Sequence, residues 1–195
     1  MNIQHINVKF YIQNPESVDL ESYNKIFNKW IQEHRAEELL IDVADYLHVH
    51  HGPGILLIGH EANYSLDQTE GRLGLLYNRK IQENGSTEEK LAQAFRAVLT
   101  AAQIFEKENG LRIFTNEVQV ILNDRFLIPN TDETFAALKP DFENFFDKLF
   151  DGAAYTFERN PESRQRFILN LKADSAPSIE SLLERLPASA EAVHA

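Results

Sequence analysis

Residues 40–67 read LIDVADYLHVHHGPGILLIGHEANYSLD, and how this stretch folds decides how the rest of the chain is laid out. Two apolar, alternating runs flank Gly52-Pro53-Gly54, the pattern of two strands joined by a turn. If residues 51–54 form a four-residue loop, position 50 pairs with 55. One face then carries Ile41, Val43, Leu47, Leu56 and Ile58, interrupted only by an opposed Asp45 and His60. The other face carries Asp42, Tyr46, His48 and His50 with Ile55, Leu57 and Glu61. A three-residue loop would set Asp45 against Glu61, a like-charge pair that costs energy, so the four-residue register is expected.

That register sets the candidate chemistry. Four of the seven histidines lie here, at 48, 50, 51 and 60. His48 and His50 would stand two strand rises apart on one face, about 7 Å. That spacing suits a divalent transition metal, because neutral imidazole binds such ions well; a solvated strand face beside a turn is the plainer reading. His60 and Asp45 would form a general base with its orienting carboxylate, a candidate catalytic pair. The same pair read as structure is a buried contact that pins the strand register. Tyr46 and Glu61 would offer ligand contacts on the metal-bearing face. Arg79, at the end of LLYNRK, could receive a carboxylate or phosphate. His51-Gly52-Pro53-Gly54 reads as a turn in which proline presets φ.

Outward from this hairpin the punctuation is regular. Ile6, Val8, Phe10 and Ile12 alternate as a half-buried strand, and Asn14-Pro15 ends it. Tyr23, Ile26, Phe27, Trp30 and Ile31 have the i, i+3, i+4, i+7, i+8 spacing of a helix packed on a core. A strand is expected at 72–80, then a long helix from Glu88 to Asn109, started by Ser86-Thr87 and ended by Gly110. A strand from Arg112 to about Asp124 follows. The next helix is expected to be interrupted at Pro140, which serves the first turn of the segment carrying Phe142, Phe145, Phe146, Leu149 and Phe150. Strands at 153–159 and 164–172 close the folded part.

These elements predict an α+β fold: an antiparallel sheet of about seven strands with helices mainly on one face. A duplication also shows, since the 23–31 and 142–150 helices match at a constant offset of 119. Each half reads β-α-β-β-α, giving possible halves 1–110 and 111–172 of a single domain, with a pseudo-twofold axis between them. Residues 173–195 read as a short helix and a disordered tail.

Composition narrows the function classes. The net charge of −11 comes from 19 basic and 30 acidic residues, with no compensating basic cluster, which excludes nucleic acid and anionic membranes as partners. Cysteine is absent, which removes thiol catalysis and cysteine-type zinc sites. No secretory leader or membrane-length apolar run is present, so a cytoplasmic location is expected. The expectation is a homodimeric protein that binds a small molecule or a protein partner around His48, His50, Tyr46 and Glu61. Two alternatives stand beside it: a metal-dependent or His/Asp acid–base enzyme acting on a small polar substrate, and a non-catalytic subunit of a larger assembly.

Overall fold

In the computed structural model, which describes residues 1–187, the first alternating run is strand β1 (Ile6–Ile12) and the first amphipathic stretch is helix α1 (Ser22–Glu33). Four strands follow: β2 (Leu40–Tyr46), β3 (Gly54–Gly59), β4 (Ala62–Asp67) and β5 (Gly74–Arg79). Helix α2 (Thr87–Asn109), strand β6 (Ile113–Leu122) and helix α3 (Asp132–Leu149) come next. The last elements are β7 (Tyr155–Arg159), β8 (Phe167–Ala173) and α4 (Ile179–Arg185). All eight strands join one open antiparallel sheet in the order β2-β3-β4-β5-β1-β6-β8-β7.

The helices pack on one face because strand alternation concentrates apolar residues there. Phe10 of β1 meets Phe95 of α2 edge-on, with ring centroids 5.8 Å apart. Through the ladder, Phe10 shares its face with Leu75 and Val118. Phe167 of β8 stacks on Phe142 of α3 on the same side. α2 starts at a reciprocal cap: Ser86 Oγ accepts from the Glu89 amide, and the Glu89 carboxylate accepts from the Ser86 amide. Gly110, at φ 68°, ends it in the left-handed conformation that glycine adopts without strain. α3 runs through Pro140 without a break. Buried Thr134 and Leu138 before the proline and Phe142 and Phe145 after it hold both halves of that helix on the core, which offsets the lost backbone bond.

The count of seven strands falls short by one, because the run 55–66 is two strands. It reverses at His60-Glu61, where neither residue takes the left-handed conformation usual in two-residue hairpins. A distant side chain holds this turn instead, the carboxylate of Glu38, which accepts from the Glu61 and Ala62 amides at 2.9 and 2.7 Å.

The register expected for the first hairpin is also corrected. Asp45 pairs with Ile55 and Tyr46 with Gly54, so the connection is Leu47–Pro53 rather than 51–54. Two successive turns shape it, the Val49 amide donating to Tyr46 O and the Gly52 amide to Val49 O. Asp45 Oδ1 caps the Leu47 amide at 2.9 Å. A side-chain cap thus ends β2 four residues earlier than the apolar pattern suggests. Ile55 and Leu57 consequently face the helices, while Leu56 and Ile58 share the open face with Ala44 and Asp42.

The two halves correspond in element order and pairing. β1-α1-β4-β5-α2 and β6-α3-β7-β8-α4 run alike, with β1 and β6 adjacent at the middle of the sheet. Hairpin β2–β3 has no counterpart in the second of these series. α4 packs on α2 with Leu182 fully buried, and the expected disordered tail lies, from residue 188 on, outside the described residues.

Candidate functional site

A cavity of about 240 Å³ opens at the end of the sheet where the β3–β4 turn, the 35–38 segment and α2 converge. It exists because α2 turns small residues, Ala97, Thr100 and Ala101, toward Trp30 of α1. Larger side chains there would fill it. Its floor is the helix-side face of β4 and β5, where Tyr64 and Tyr77 are direct cross-strand partners with rings 5.2 Å apart. Gln93 of α2 donates to the Tyr77 hydroxyl at 2.9 Å.

Arg79 closes one side. Its Nη1 donates to Glu61 at 2.9 Å, and its Nε lies 3.6 Å from Glu83, too far for a hydrogen bond. The opposite side is held by Glu38, which lies against the bare backbone of Gly59 while it caps the turn; a Cβ on Gly59 would collide with it. Lys80 donates to the Gly59 carbonyl from the other flank.

Burial sets the ionisation of these groups. It raises the Tyr64 phenol far above its ordinary value, with Tyr77, Glu38 and Glu37 pushing the same way. Burial also raises Tyr77, against hydrogen bonds to Gln93 and Arg79. Both hydroxyls therefore carry their protons at neutral pH and can donate. The Glu38 carboxyl is raised by burial and partly pulled back by the two amides it accepts from. Glu83 is raised for the same first reason, and Arg79 opposes it.

Two side chains that line this cavity, Trp30 and Arg79, each carry a fully buried N–H (the indole Nε1 and the guanidinium Nε) without a hydrogen-bond partner among the described residues. Buried N–H groups are almost always paired. A wider basin of about 770 Å³ lies at the N-terminus of α2, and several of its polar groups are engaged with one another. Glu88 takes Lys148 and Asn144, Lys90 donates to Asn2, and Ser86 and Glu89 cap each other.

The structure divides the residues proposed from sequence. Glu61 and Arg79 meet at this cavity. Tyr46 does not: it pairs with Gly54 at the far end of β3, about 17 Å away by five strand rises. His60 sits exposed in the β3–β4 turn, its amide donating to Leu39 O, and Asp45 is opposite Ile55, so these two form no pair. His48 and His50 leave the strand for the 47–53 connection. His48 stacks near Tyr46 with centroids 6.3 Å apart, and His50 lies 3.9 Å from His51. Among the described residues no group of three His, Asp or Glu side chains could hold a metal ion, so the His48/His50 pair lacks a third ligand there. No helix of the described residues is long and apolar enough to cross a membrane.

Sequence reasoning passes over Trp30, Tyr64, Tyr77, Gln93 and Arg96. Trp30 and Tyr64 sit on apolar faces and read as core, while Gln93 and Arg96 lie off the expected buried face of α2. The available signal is the run of small residues on α2, which means a hollow only once Trp30 is known to stand opposite. In comparisons with protein-family models and with curated proteins, nothing matches this chain.

Proposed function

We propose that the protein binds a small organic ligand in the cavity beneath the β3–β4 turn. The observation that carries this reading is unfilled space lined by Trp30 and Arg79, each of which holds a buried N–H without a hydrogen-bond partner among the described residues. A purely structural role would close that space, since cores pack to crystal-like density and unpaired buried donors cost about 1–3 kcal/mol each. At about 240 Å³ the space falls just under the roughly 300–1,000 Å³ of drug-sized ligand sites, so the ligand is small. Tyr64 and Gln93 supply polar contacts, and Ala97, Ala101 and Ile104 supply an apolar wall.

The duplication read from the sequence belongs to this proposal. The two halves are copies of one β-α-β-β-α unit, and the hairpin β2–β3 inserted in the first copy brings the Glu38 segment and the β3–β4 turn against α2. The ligand site is then a property of the insertion. The expected homodimer has one supporting feature, the free edge of β2, which leaves Leu39 and Ile41 63% and 53% exposed.

Trp30 is the only tryptophan, so its fluorescence reports this cavity alone. Titration of the full chain with small organic compounds should give a saturable change in that emission, and Ala101→Leu should abolish it without lowering the melting temperature. A panel that leaves Trp30 unperturbed in the wild type, or perturbs Ala101→Leu equally, would refute the reading.

A further inference from the structure

Resting on the cavity reading, we infer that the ligand is a monocarboxylate with a compact apolar body. Among the described residues, the guanidinium of the wall without a carboxylate partner is that of Arg96; Arg79 is paired with Glu61 and Glu83, and Glu37 is the wall carboxylate without a partner. Trp30, 2% exposed, and Arg79 each hold a buried N–H without a partner. Arg96 has no carboxylate within ion-pair distance among the described residues; its Nη2 donates only to the backbone carbonyls of Leu186 and Pro187, at 3.0 and 2.5 Å. The third arginine of the wall, Arg35, is already paired with Glu33 and Glu108. An ionised carboxylate is acceptor-only and satisfies donors of this kind, which neither an amine nor an alkyl group does.

The acidic groups limit the charge to one. Glu37, Glu38 and Glu61 belong to the same wall, and Glu83 stands beside Arg79. Glu61 is spent on Arg79 and Glu38 on two backbone amides, so neither is a free counter-ion for a cationic ligand. Both would repel a second negative charge. The carbon body is assigned to the apolar side, where Trp30 faces Ala97, Ala101 and Ile104.

Benzoate, benzamide and benzylamine share one ring and differ in charge and acceptor count, which makes them the probes. Trp30 emission and the single indole N–H resonance are followed in the full-length chain. Benzoate should bind at least about tenfold tighter than the other two, the ratio expected when one charge-assisted hydrogen bond is lost. Arg96→Gln should remove most of that preference and leave benzamide unchanged. Ala101→Leu should abolish binding, and Ala97→Leu is the substitute if Ala101→Leu does not fold. If benzamide or benzylamine matches benzoate and the filled cavity still blocks both, the carboxylate inference falls and the cavity reading stands. If none of the three perturbs Trp30, or if the filled cavity binds benzoate normally, both fall together.

Discussion

Two ion pairs in the same sheet, Lys9–Asp67 and Arg79–Glu61, have opposite fates. Lys9 and Asp67 are each 2% exposed and 2.6 Å apart on the open face. The lysine crosses the bare backbone of Gly74, where a Cβ would come within 2.5 Å of its Cε, and also donates to Thr69 O. Thr69 in turn donates to Asp67, and Arg72 of the same connection lies over the Tyr11 ring at 3.6 Å. Every charge there is spent, and the 68–73 connection closes over the pair. Arg79 is 11% exposed and Glu61 39%, beside a hollow whose lining side chains hold unspent donors. Buried charge alone therefore does not mark a site. Spare donors on side chains that line unfilled space do.

The largest expected effect tests the closed pair. Lys9→Met leaves Asp67 buried without its cation and should cost about 3–5 kcal/mol in denaturant unfolding, whereas Arg79→Met, with better-solvated partners, should cost only about 1 kcal/mol. Equal losses would erase the distinction. Next is Gly74→Ala, which drives a methyl into Lys9 and the Phe10 carbonyl and should cost about 1–3 kcal/mol. Ala101→Leu, filling the open region, should be neutral or stabilising by up to about 1 kcal/mol. Glu38→Ala frees the two amides that define the β3–β4 turn and should cost about 1–2 kcal/mol, with weaker ligand binding as well.

Acid should separate the two regions by sign. Glu38 and Glu83 are raised in the fold by burial, so the folded state holds more protons than the unfolded chain just above the ordinary glutamate value. Their contribution to stability is greatest in acid and is lost as pH rises through the folded values. Glu117 on the open face is lowered by Arg72 and then Lys172, so its contribution is lost as pH falls through its folded value. In melting curves from about pH 7 down to about pH 4, Glu83→Gln should remove part of the acid-side gain and Glu117→Gln part of the acid-side loss. The smallest effect is reserved for the exposed loop: His48→Ala and His50→Ala should each stay within about 0.5 kcal/mol and leave ligand binding intact.

Periodicity carried the reading of the fold a long way. The amphipathic stripes of α1 and α2, the α2 caps, the antiparallel sheet with helices on one face and the strand-helix order of both halves are local patterns. What escaped it depended on contacts distant in sequence. The reversal at His60-Glu61 needs Glu38, and the early end of β2 needs the Asp45 cap, so both the eighth strand and the hairpin register were misread. The candidate site was half legible. Arg79 stood out as a charged group at a strand end and Glu61 as a polar member of the histidine-bearing face, and these two meet. Trp30 and Tyr64 did not, because a side chain lining a cavity and one filling a core leave the same trace in sequence, and Arg96 is one charged residue among many on an exposed helix side.

The most direct test is the indole N–H resonance of Trp30 in the amide correlation spectrum of isotope-labelled protein, recorded with and without benzoate. Because there is one tryptophan, there is one such signal. The account predicts that it moves progressively and saturably toward a hydrogen-bonded position on titration. It also predicts no movement in Ala101→Leu. An indole signal that stays fixed while benzoate is added to saturating concentration would contradict it.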